Sequence, residues 1–130
     1  MRPSSTLGLR HLALRVKNLE ACVAFYRDLL GMTIEWQPDK DNVYLTTGVD
    51  NLALHRAPEN FVRDHQALDH LGFILKTPEE VDLWFKFFED MGVKILKNPK
   101  THRDEARSFY CEDPDGNAIQ LIYHPPLSGK

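Results

Sequence analysis

His11, His70 and Gln120 each carry atoms that can bind a metal ion, and each lies in a short apolar run. His11 begins the run His-Leu-Ala-Leu-Arg-Val, His70 begins His-Leu-Gly-Phe-Ile-Leu, and Gln120 interrupts Ala-Ile-Gln-Leu-Ile. Runs of this kind predict strands, in which every second residue shares one face. A polar side chain there needs either a hydrogen bond or a metal ion as its partner. From the sequence alone, both interpretations stay open for each residue.

The two histidine runs begin similar halves of the chain, which predicts a duplicated structural unit. A helical period follows each run, and the first helix is predicted over Leu19–Leu30, ending at Gly31. The second helix begins with the capping sequence Thr77-Pro78-Glu79-Glu80 and ends at Gly92. The β-rich runs that follow are Met32–Gln37, Val43–Thr47 and Leu52–His55 in the first half, and Val93–Leu96, Ser108–Cys111 and Ala118–Tyr123 in the second. The pattern predicts an α+β fold of two βαβββ modules.

The duplication also predicts where the candidate ligands lie. His11 and His70 hold matching places in the two halves. A pseudo-twofold axis relating the modules would therefore bring both imidazoles together, with Gln120 as the third ligand of one metal ion. The alternative for each histidine is a hydrogen-bonded core residue, and the alternative for the glutamine is a bridge to the backbone.

The module boundaries follow from the predicted elements. We predict a single domain over residues 1–130, with a first module at 9–56, a polar linker at 57–67 and a second module at 68–124. The tail that begins at His124 is predicted to be extended or loose.

Composition limits the classes of partner. The chain has 130 residues, a net charge of −3 and ordinary apolar and charged fractions of 42% and 27%. Because it contains no basic run, neither nucleic acid nor a membrane surface is expected as a partner. The first six residues do not resemble a secretory signal. Cys22 and Cys111 are interpreted as reduced, packed thiols, so a cytoplasmic location is expected.

Three motifs connect the chain to a known family. They are His-Leu-x-Leu-x-Val at 11–16, Phe25-Tyr26-x-x-x-Leu-Gly31-Met32, and Asp113-Pro114-Asp115-Gly116-Asn117-x-Ile119-Gln120-Leu121. With these motifs the chain resembles the vicinal-oxygen-chelate superfamily, which includes glyoxalase I, fosfomycin-resistance enzymes, bleomycin-binding proteins and extradiol dioxygenases. The resemblance implies a cupped mixed sheet around a divalent metal ion, a small-molecule substrate and a homodimer.

Part of the second half is closest in pattern to the type I extradiol dioxygenases. His102, Tyr110, the sequence Asp-Pro-Asp-Gly at 113–116 and Gln120 follow their spacing, with glutamine where they have glutamate. By this resemblance His55 would be the acid and base, and His102 and Tyr110 would hold the oxygens of a small aromatic diol. Three metal ligands with open positions would favour Fe(II).

The neutral Gln120 keeps other functions open. Without a carboxylate the charge of Fe(II) is uncompensated, so Zn, Ni, Mn or Co are alternative ions. Overlaying the last strands of the two halves puts Ala53 at the place of Gln120, and alanine cannot supply a fourth ligand. A glyoxalase-like isomerase or lyase with a non-redox ion is one alternative function. A binding protein of the bleomycin-resistance kind, which needs no metal, is the other.

Overall fold

A computed structural model of the chain describes residues 2, 4–5, 7–62 and 68–129. The described residues form two compact units, one ending at Val62 and the other described from Leu68 onward. Each unit is a four-stranded mixed sheet with a helix between its first and second strands. The predicted α+β fold of two βαβββ modules is confirmed. Residues 63–67 of the predicted linker lie outside the described residues.

The first unit contains four strands and one helical segment. The strands are β1 (His11–Val16), β2 (Thr33–Asp39), β3 (Asn42–Thr46) and β4 (Asn51–Arg56), and α1 (Leu19–Ala24) continues into a π-helical segment, Phe25–Leu29. The order in the sheet is β1-β4-β3-β2, with β1 parallel to β4 and the other pairs antiparallel. The helical segment joins β1 to β2 at the opposite edge of the sheet, and β4 then pairs with β1 in parallel.

The second unit repeats this topology. Its elements are β5 (Leu71–Leu75), α2 (Pro78–Asp90), β6 (Ile95–Thr101), β7 (Arg107–Glu112), β8 (Ala118–Tyr123) and the short helix α3 (Pro125–Ser128). The order is β5-β8-β7-β6, and again the outer first strand is parallel to the last. None of the helices in the described ranges is long and apolar enough to cross a lipid bilayer.

Local sequence signals explain where the two main helices begin. The Asn18 side chain caps α1 by accepting a hydrogen bond from the backbone N–H of Ala21 at 3.1 Å. The Thr77 hydroxyl caps α2 by accepting from the backbone N–H of Glu80 at 3.2 Å, and proline occupies the first turn. After the second helix, Gly92 adopts a φ of +76°, a conformation that side-chain-bearing residues rarely adopt.

The two faces of each sheet differ in chemistry. One face is apolar and buried against the helix. On this face the ring of Phe109 in β7 packs against the ring of Phe88 in α2, with centroids 6.0 Å apart. The other face carries the alternate residues, most of which are polar or small. His11 of β1 and Gln120 of β8 both point away from the buried face. Other buried residues of the sheets are Leu14, Val16, Val43, Leu45, Leu52, Leu54, Cys111, Ile119 and Leu121.

Two sequence predictions about element bounds were wrong. The strand predicted at Val93–Leu96 begins at Ile95 and runs on to Thr101, because β6 pairs with β7 along its length despite two register irregularities. An exposed edge strand has no buried face, so its residues show no apolar alternation. The tail is also more regular than expected. Pro125 begins a helical turn, and the Ser128 backbone N–H donates to the His124 carbonyl at 2.8 Å.

The two cysteines lead to a first prediction. Both cysteines are buried as reduced thiols, and burial raises the pKa of Cys111 to about 12, with the charges of Asp113 and Glu112 adding to the effect. Only the thiolate reacts readily with disulfide reagents. At pH 8 we therefore expect Ellman's reagent to label neither thiol in the native protein and both in denaturant. Ser5→Cys, at an exposed position, is the positive control, and rapid labelling of the native thiols would contradict the burial.

Candidate metal-binding site and its surroundings

His11 begins β1 and has one ring nitrogen held by a neighbouring strand. Its Nδ1 lies 2.8 Å from Oδ1 of Asn51, its partner in the β1–β4 register. The amide of Asn51 is oriented in turn, because its Nδ2 donates to Oε1 of Glu35 at 3.0 Å. Since an amide oxygen only accepts, Nδ1 of His11 carries the hydrogen. The lone pair of the imidazole is therefore on Nε2, where a metal ion can bind it.

His70 immediately precedes β5 and is fixed in the same way. Its Nδ1 lies 2.7 Å from Oδ1 of Asp69, and because a carboxylate oxygen accepts, Nδ1 again carries the hydrogen. The edge of its ring meets the ring of Tyr110 with centroids 5.2 Å apart and planes at 87°. These two contacts orient the ring and leave Nε2 as the donor atom for a ligand.

The amide of Gln120 is held by a buried hydroxyl. Its Nε2 donates to Oγ of Ser108 at 3.0 Å, and Ser108 is only 2% exposed. Its Oε1 faces Gly72, its partner in the β5–β8 register, and lies 3.7 Å from the point where a Cβ on that glycine would stand. The amide nitrogen is thus engaged, and the amide oxygen is the atom left for a ligand.

These three residues fit the donor set of a divalent metal ion. In each of them a partner holds the polar atom that would not bind, so Nε2 of His11, Nε2 of His70 and Oε1 of Gln120 carry the available lone pairs. Ligands with such outer hydrogen bonds are typical of protein metal sites. The described residues contain no group of three or more His, Cys, Asp and Glu placed to hold an ion.

The binding of one ion by all three residues stays a prediction. His11 belongs to the first unit, whereas His70 and Gln120 belong to the second. What the structure adds is the orientation of each side chain within its own unit.

Ser108 also connects the amide to His102. Its Oγ accepts from Gln120 and lies 3.3 Å from Nε2 of His102, in a hydrogen bond whose direction depends on the tautomer of that histidine. His102 was predicted as a residue that holds substrate, and it is half-buried. Sequence reasoning missed Ser108. Its position two residues before Tyr110, and so on the same strand face, was a signal that could have identified it.

A cavity of about 710 Å³ opens beside Gln120 in the second unit. Its lining contains two cationic side chains, Lys100 and Arg103, and one carboxylate, Asp104. This balance favours an anionic ligand. Other groups in the lining that form hydrogen bonds come from His102, His124 and Thr101.

Tyr110 lies at the centre of the second sheet. It faces Gln120 across the β7–β8 register and Lys97 across the β6–β7 register. The Lys97 Nζ lies 5.2 Å from the centre of the tyrosine ring, a cation–π contact. Together with the His70 ring contact, this brings four of the predicted site residues into one neighbourhood: His70, His102, Tyr110 and Gln120.

His55 lies on β4 in the first unit, on the same face as His11. Its Nδ1 is 2.6 Å from Oδ1 of Asn42, and its ring meets Tyr44 edge-on with centroids 5.8 Å apart. Trp36 stacks on the other side of Tyr44, with centroids 5.1 Å apart. Asn51 is the register partner of His11, and His55 lies four residues after Asn51 on the same strand. This separation is about 13 Å. His55 thus contacts the amide of Asn42 and the ring of Tyr44.

Ala53 occupies the position in the first sheet that corresponds to Gln120 in the second, as the strand registers show. Ala53 faces Tyr44 across its sheet as Gln120 faces Tyr110. An alanine has no donor atom, so β4 adds no fourth ligand at this place.

Comparison with known proteins identifies the class of protein. Residues 8–121 match the family model described as the Glyoxalase/Bleomycin resistance protein/Dioxygenase superfamily, and the chain belongs to this superfamily. The predicted family membership is confirmed.

Two curated proteins and one solved structure of this superfamily are similar to the chain. The chain is 27% identical over 122 residues to metallothiol transferase FosB of Bacillus licheniformis, covering 93% of this chain and 78% of that protein. It is 32% identical over 117 residues to glutathione transferase FosA of Serratia marcescens, covering 88% and 79%. Lactoylglutathione lyase of Agrobacterium tumefaciens has the same fold, with a TM-score of 0.78 at 23% identity over 95% of this chain and 98% of that one. The two curated relatives are named as transferases rather than dioxygenases.

The role of Ser108 yields a second prediction. In Ser108→Ala the amide nitrogen of Gln120 loses its acceptor inside the protein, which we expect to cost about 1–3 kcal/mol of unfolding free energy. Urea denaturation followed by circular dichroism measures the loss. The matched control is Ser5→Ala at an exposed position, for which we expect a change within about 0.5 kcal/mol. Equal stabilities of the two variants would contradict the assigned hydrogen bond.

Proposed function

We propose that this chain is a divalent-metal-dependent enzyme that transfers a thiol to a small anionic substrate. The observation that supports the metal site is the orientation of His11, His70 and Gln120. In each side chain a hydrogen bond holds the polar atom that would not bind the ion, and the other polar atom stays available. The thiol is proposed from the names of the relatives FosB and FosA. The charge of the substrate is proposed from the cavity beside Gln120.

His11, His70 and Gln120 would hold the metal ion. Once bound, a divalent ion supplies a Lewis acid that polarises an oxygen of the substrate. All three donors are neutral, so the protein itself does not offset the charge of the ion. An anionic substrate would offset it. Fe(II), favoured by the resemblance to dioxygenases, and Zn, Ni, Mn and Co are the ions to be tested.

The cavity of the second unit is the proposed binding place of the anion. Lys100 and Arg103 attract the anion, and Gln120 in the same lining brings it next to a metal ligand. His102 and Tyr110 are proposed to orient the substrate. Both lie next to this ligand, His102 through Ser108 and Tyr110 through strand pairing.

His55 is the proposed acid and base. The thiol loses its proton to Nε2 of His55, and the sulfur forms a bond to an electrophilic carbon of the substrate. The carbon–oxygen bond at that carbon breaks and leaves a negative oxygen, which takes the proton back from His55. Atoms and charges balance without a further reactant.

Metal binding yields the third prediction. Gln120→Glu adds a charged oxygen ligand, so we expect the affinity for a divalent ion to rise about tenfold or more. Isothermal titration calorimetry with Mn(II), Zn(II), Ni(II) and Co(II), and with Fe(II) under nitrogen, measures the change. Gln37→Glu, at an exposed position of β2, adds the same charge away from the proposed ligands and is the matched control.

An equal gain in both glutamate variants would contradict the assignment of Gln120 as a ligand, because it would reflect net charge alone. His70→Ala should lose most of the affinity in the same titrations. His11→Ala tests the contribution of the first unit to the same ion, and an unchanged affinity would limit the site to the second unit.

Turnover yields the fourth prediction. The metal-loaded protein is incubated with glutathione or L-cysteine and a panel of small anionic electrophiles. Fosfomycin is included because fosfomycin-resistance enzymes belong to the same superfamily. Mass spectrometry should detect the thiol adduct, and a chelator should abolish it. Lys100→Ala should raise KM for the anion with little change in kcat, since its charge attracts the substrate but does not react. Lys86→Ala, on the exposed face of α2, is the matched control.

The extradiol dioxygenase function remains the second candidate. It is favoured by the neighbourhood of His70, Tyr110 and Gln120, together with the spacing from His102. Anaerobic loading with Fe(II), followed by catechols and oxygen, would then give a yellow ring-opened product. Activity with a non-redox ion and no thiol would instead favour an isomerase or lyase. Ligand binding that survives removal of the metal and His11→Ala would favour a binding protein.

A further inference from the structure

Asn42 and Asp39 form a chain of hydrogen bonds that ends at His55. Nδ2 of Asn42 donates to both carboxylate oxygens of Asp39, at 2.9 and 3.1 Å. Oδ1 of Asn42 lies 2.6 Å from Nδ1 of His55. The turn between β2 and β3 makes this geometry, because Asp39 is the last residue of one strand and Asn42 the first of the next.

The carboxylate fixes the direction of this chain. A charged carboxylate only accepts hydrogen bonds, so the Asn42 amide must point its nitrogen at Asp39 and its oxygen at His55. The backbone N–H of Asp41 and then the Asn42 amide lower the pKa of Asp39, which keeps it charged near neutral pH. Since an amide oxygen also only accepts, Nδ1 of His55 must carry the hydrogen.

We propose that Asp39 and Asn42 are positioning residues that hold His55 in the Nδ1–H tautomer, so that Nε2 is the atom that accepts a proton. A free imidazole samples both tautomers, and only one presents Nε2 as a base. The neutral amide fixes the tautomer without placing a full charge against the ring. The tautomer stands on the geometry alone, whereas the use of Nε2 as a base rests on the proposed function.

The surroundings of His55 agree with this role. The ring of Tyr44 packs edge-on against it and limits its rotation. Arg15 on β1 is its register partner, and Arg56 beside it is engaged by Asp41 and Glu20 at 2.8 Å each. The nearby cations are therefore not hydrogen-bond partners of Nδ1, which Asn42 occupies.

The fifth prediction concerns the tautomer, read directly by magnetic resonance. Two-bond proton–nitrogen correlation spectra of the ¹⁵N-labelled full chain distinguish a protonated from an unprotonated ring nitrogen. For the native protein at neutral pH we expect the Nδ1–H form of His55. In Asp39→Asn the amide of Asn42 is no longer forced into one orientation, so a mixture of tautomers should appear. Asn42→Leu removes the acceptor and should give the same result.

Asp41→Asn is the matched control for these variants. It removes the same charge from the same turn, but its carboxylate binds Arg56 rather than Asn42. We expect it to keep the native tautomer of His55. Circular dichroism verifies that each variant is folded. A native His55 with hydrogen on Nε2, or a single unchanged tautomer in both Asp39→Asn and Asn42→Leu, would overturn the proposal.

Thiol transfer gives a second readout. His55→Ala should lose about 10²-fold or more in kcat, as for a general base, and Asp39→Asn a part of that loss with KM unchanged. Metal affinity should be the same in both variants and in the native protein. If native protein transfers no thiol but has the Nδ1–H tautomer, the proposed function fails while the positioning of His55 stands. A kcat in Asp39→Asn equal to the native value, despite mixed tautomers, would overturn the link between tautomer and catalysis.

Discussion

An imidazole or a carboxamide has two polar ends, and a partner at one end decides what the other end can bind. A carboxylate or an amide oxygen at Nδ1 of a histidine places the hydrogen there and the lone pair on Nε2. A hydroxyl that accepts from the nitrogen of a glutamine turns the oxygen of that amide outward. The polar faces of both sheets depend on this rule. Three hydrogen bonds orient side chains in this way: Asn51 with His11, Asp69 with His70, and Ser108 with Gln120.

The duplication explains how one scaffold carries two kinds of polar face. Equal strand registers give each place in the first sheet a counterpart in the second. The central tyrosine is common to both, as Tyr44 and Tyr110, but its neighbours differ. In the first sheet a histidine and two asparagines with carboxylate partners surround it. In the second a glutamine and a serine lie beside it, and a cavity with two cationic side chains opens next to that glutamine. The framework is therefore shared, and the chemistry of each face depends on a few side chains.

Much of the framework could be predicted from the sequence, because buried elements have a strong apolar period. The strand Ala118–Tyr123 has the predicted bounds, and α2 begins at the predicted capping threonine. The bounds of the edge strands were harder to predict, since a strand exposed on both faces, such as β6, has no alternation of apolar and polar residues. Partners of the site residues were harder still. Asn51 contacts His11 as its register partner, and Ser108 contacts Gln120 diagonally across the β7–β8 pair. A pattern of residue types specifies neither contact.

The neutral donor set links the metal to the substrate in the proposed function. Two imidazoles and an amide would hold an ion without cancelling its charge, and Lys100 and Arg103 add further positive charge in the cavity beside the amide. Cations close together repel each other, and an anion between them offsets this repulsion. The bound ion therefore raises the affinity of the site for an anion, and a bound anion raises the affinity for the ion by the same factor. A glutamate at position 120 would bind the ion more tightly but would weaken this coupling. Glutamine thus favours a site in which ion and anionic substrate stabilise each other.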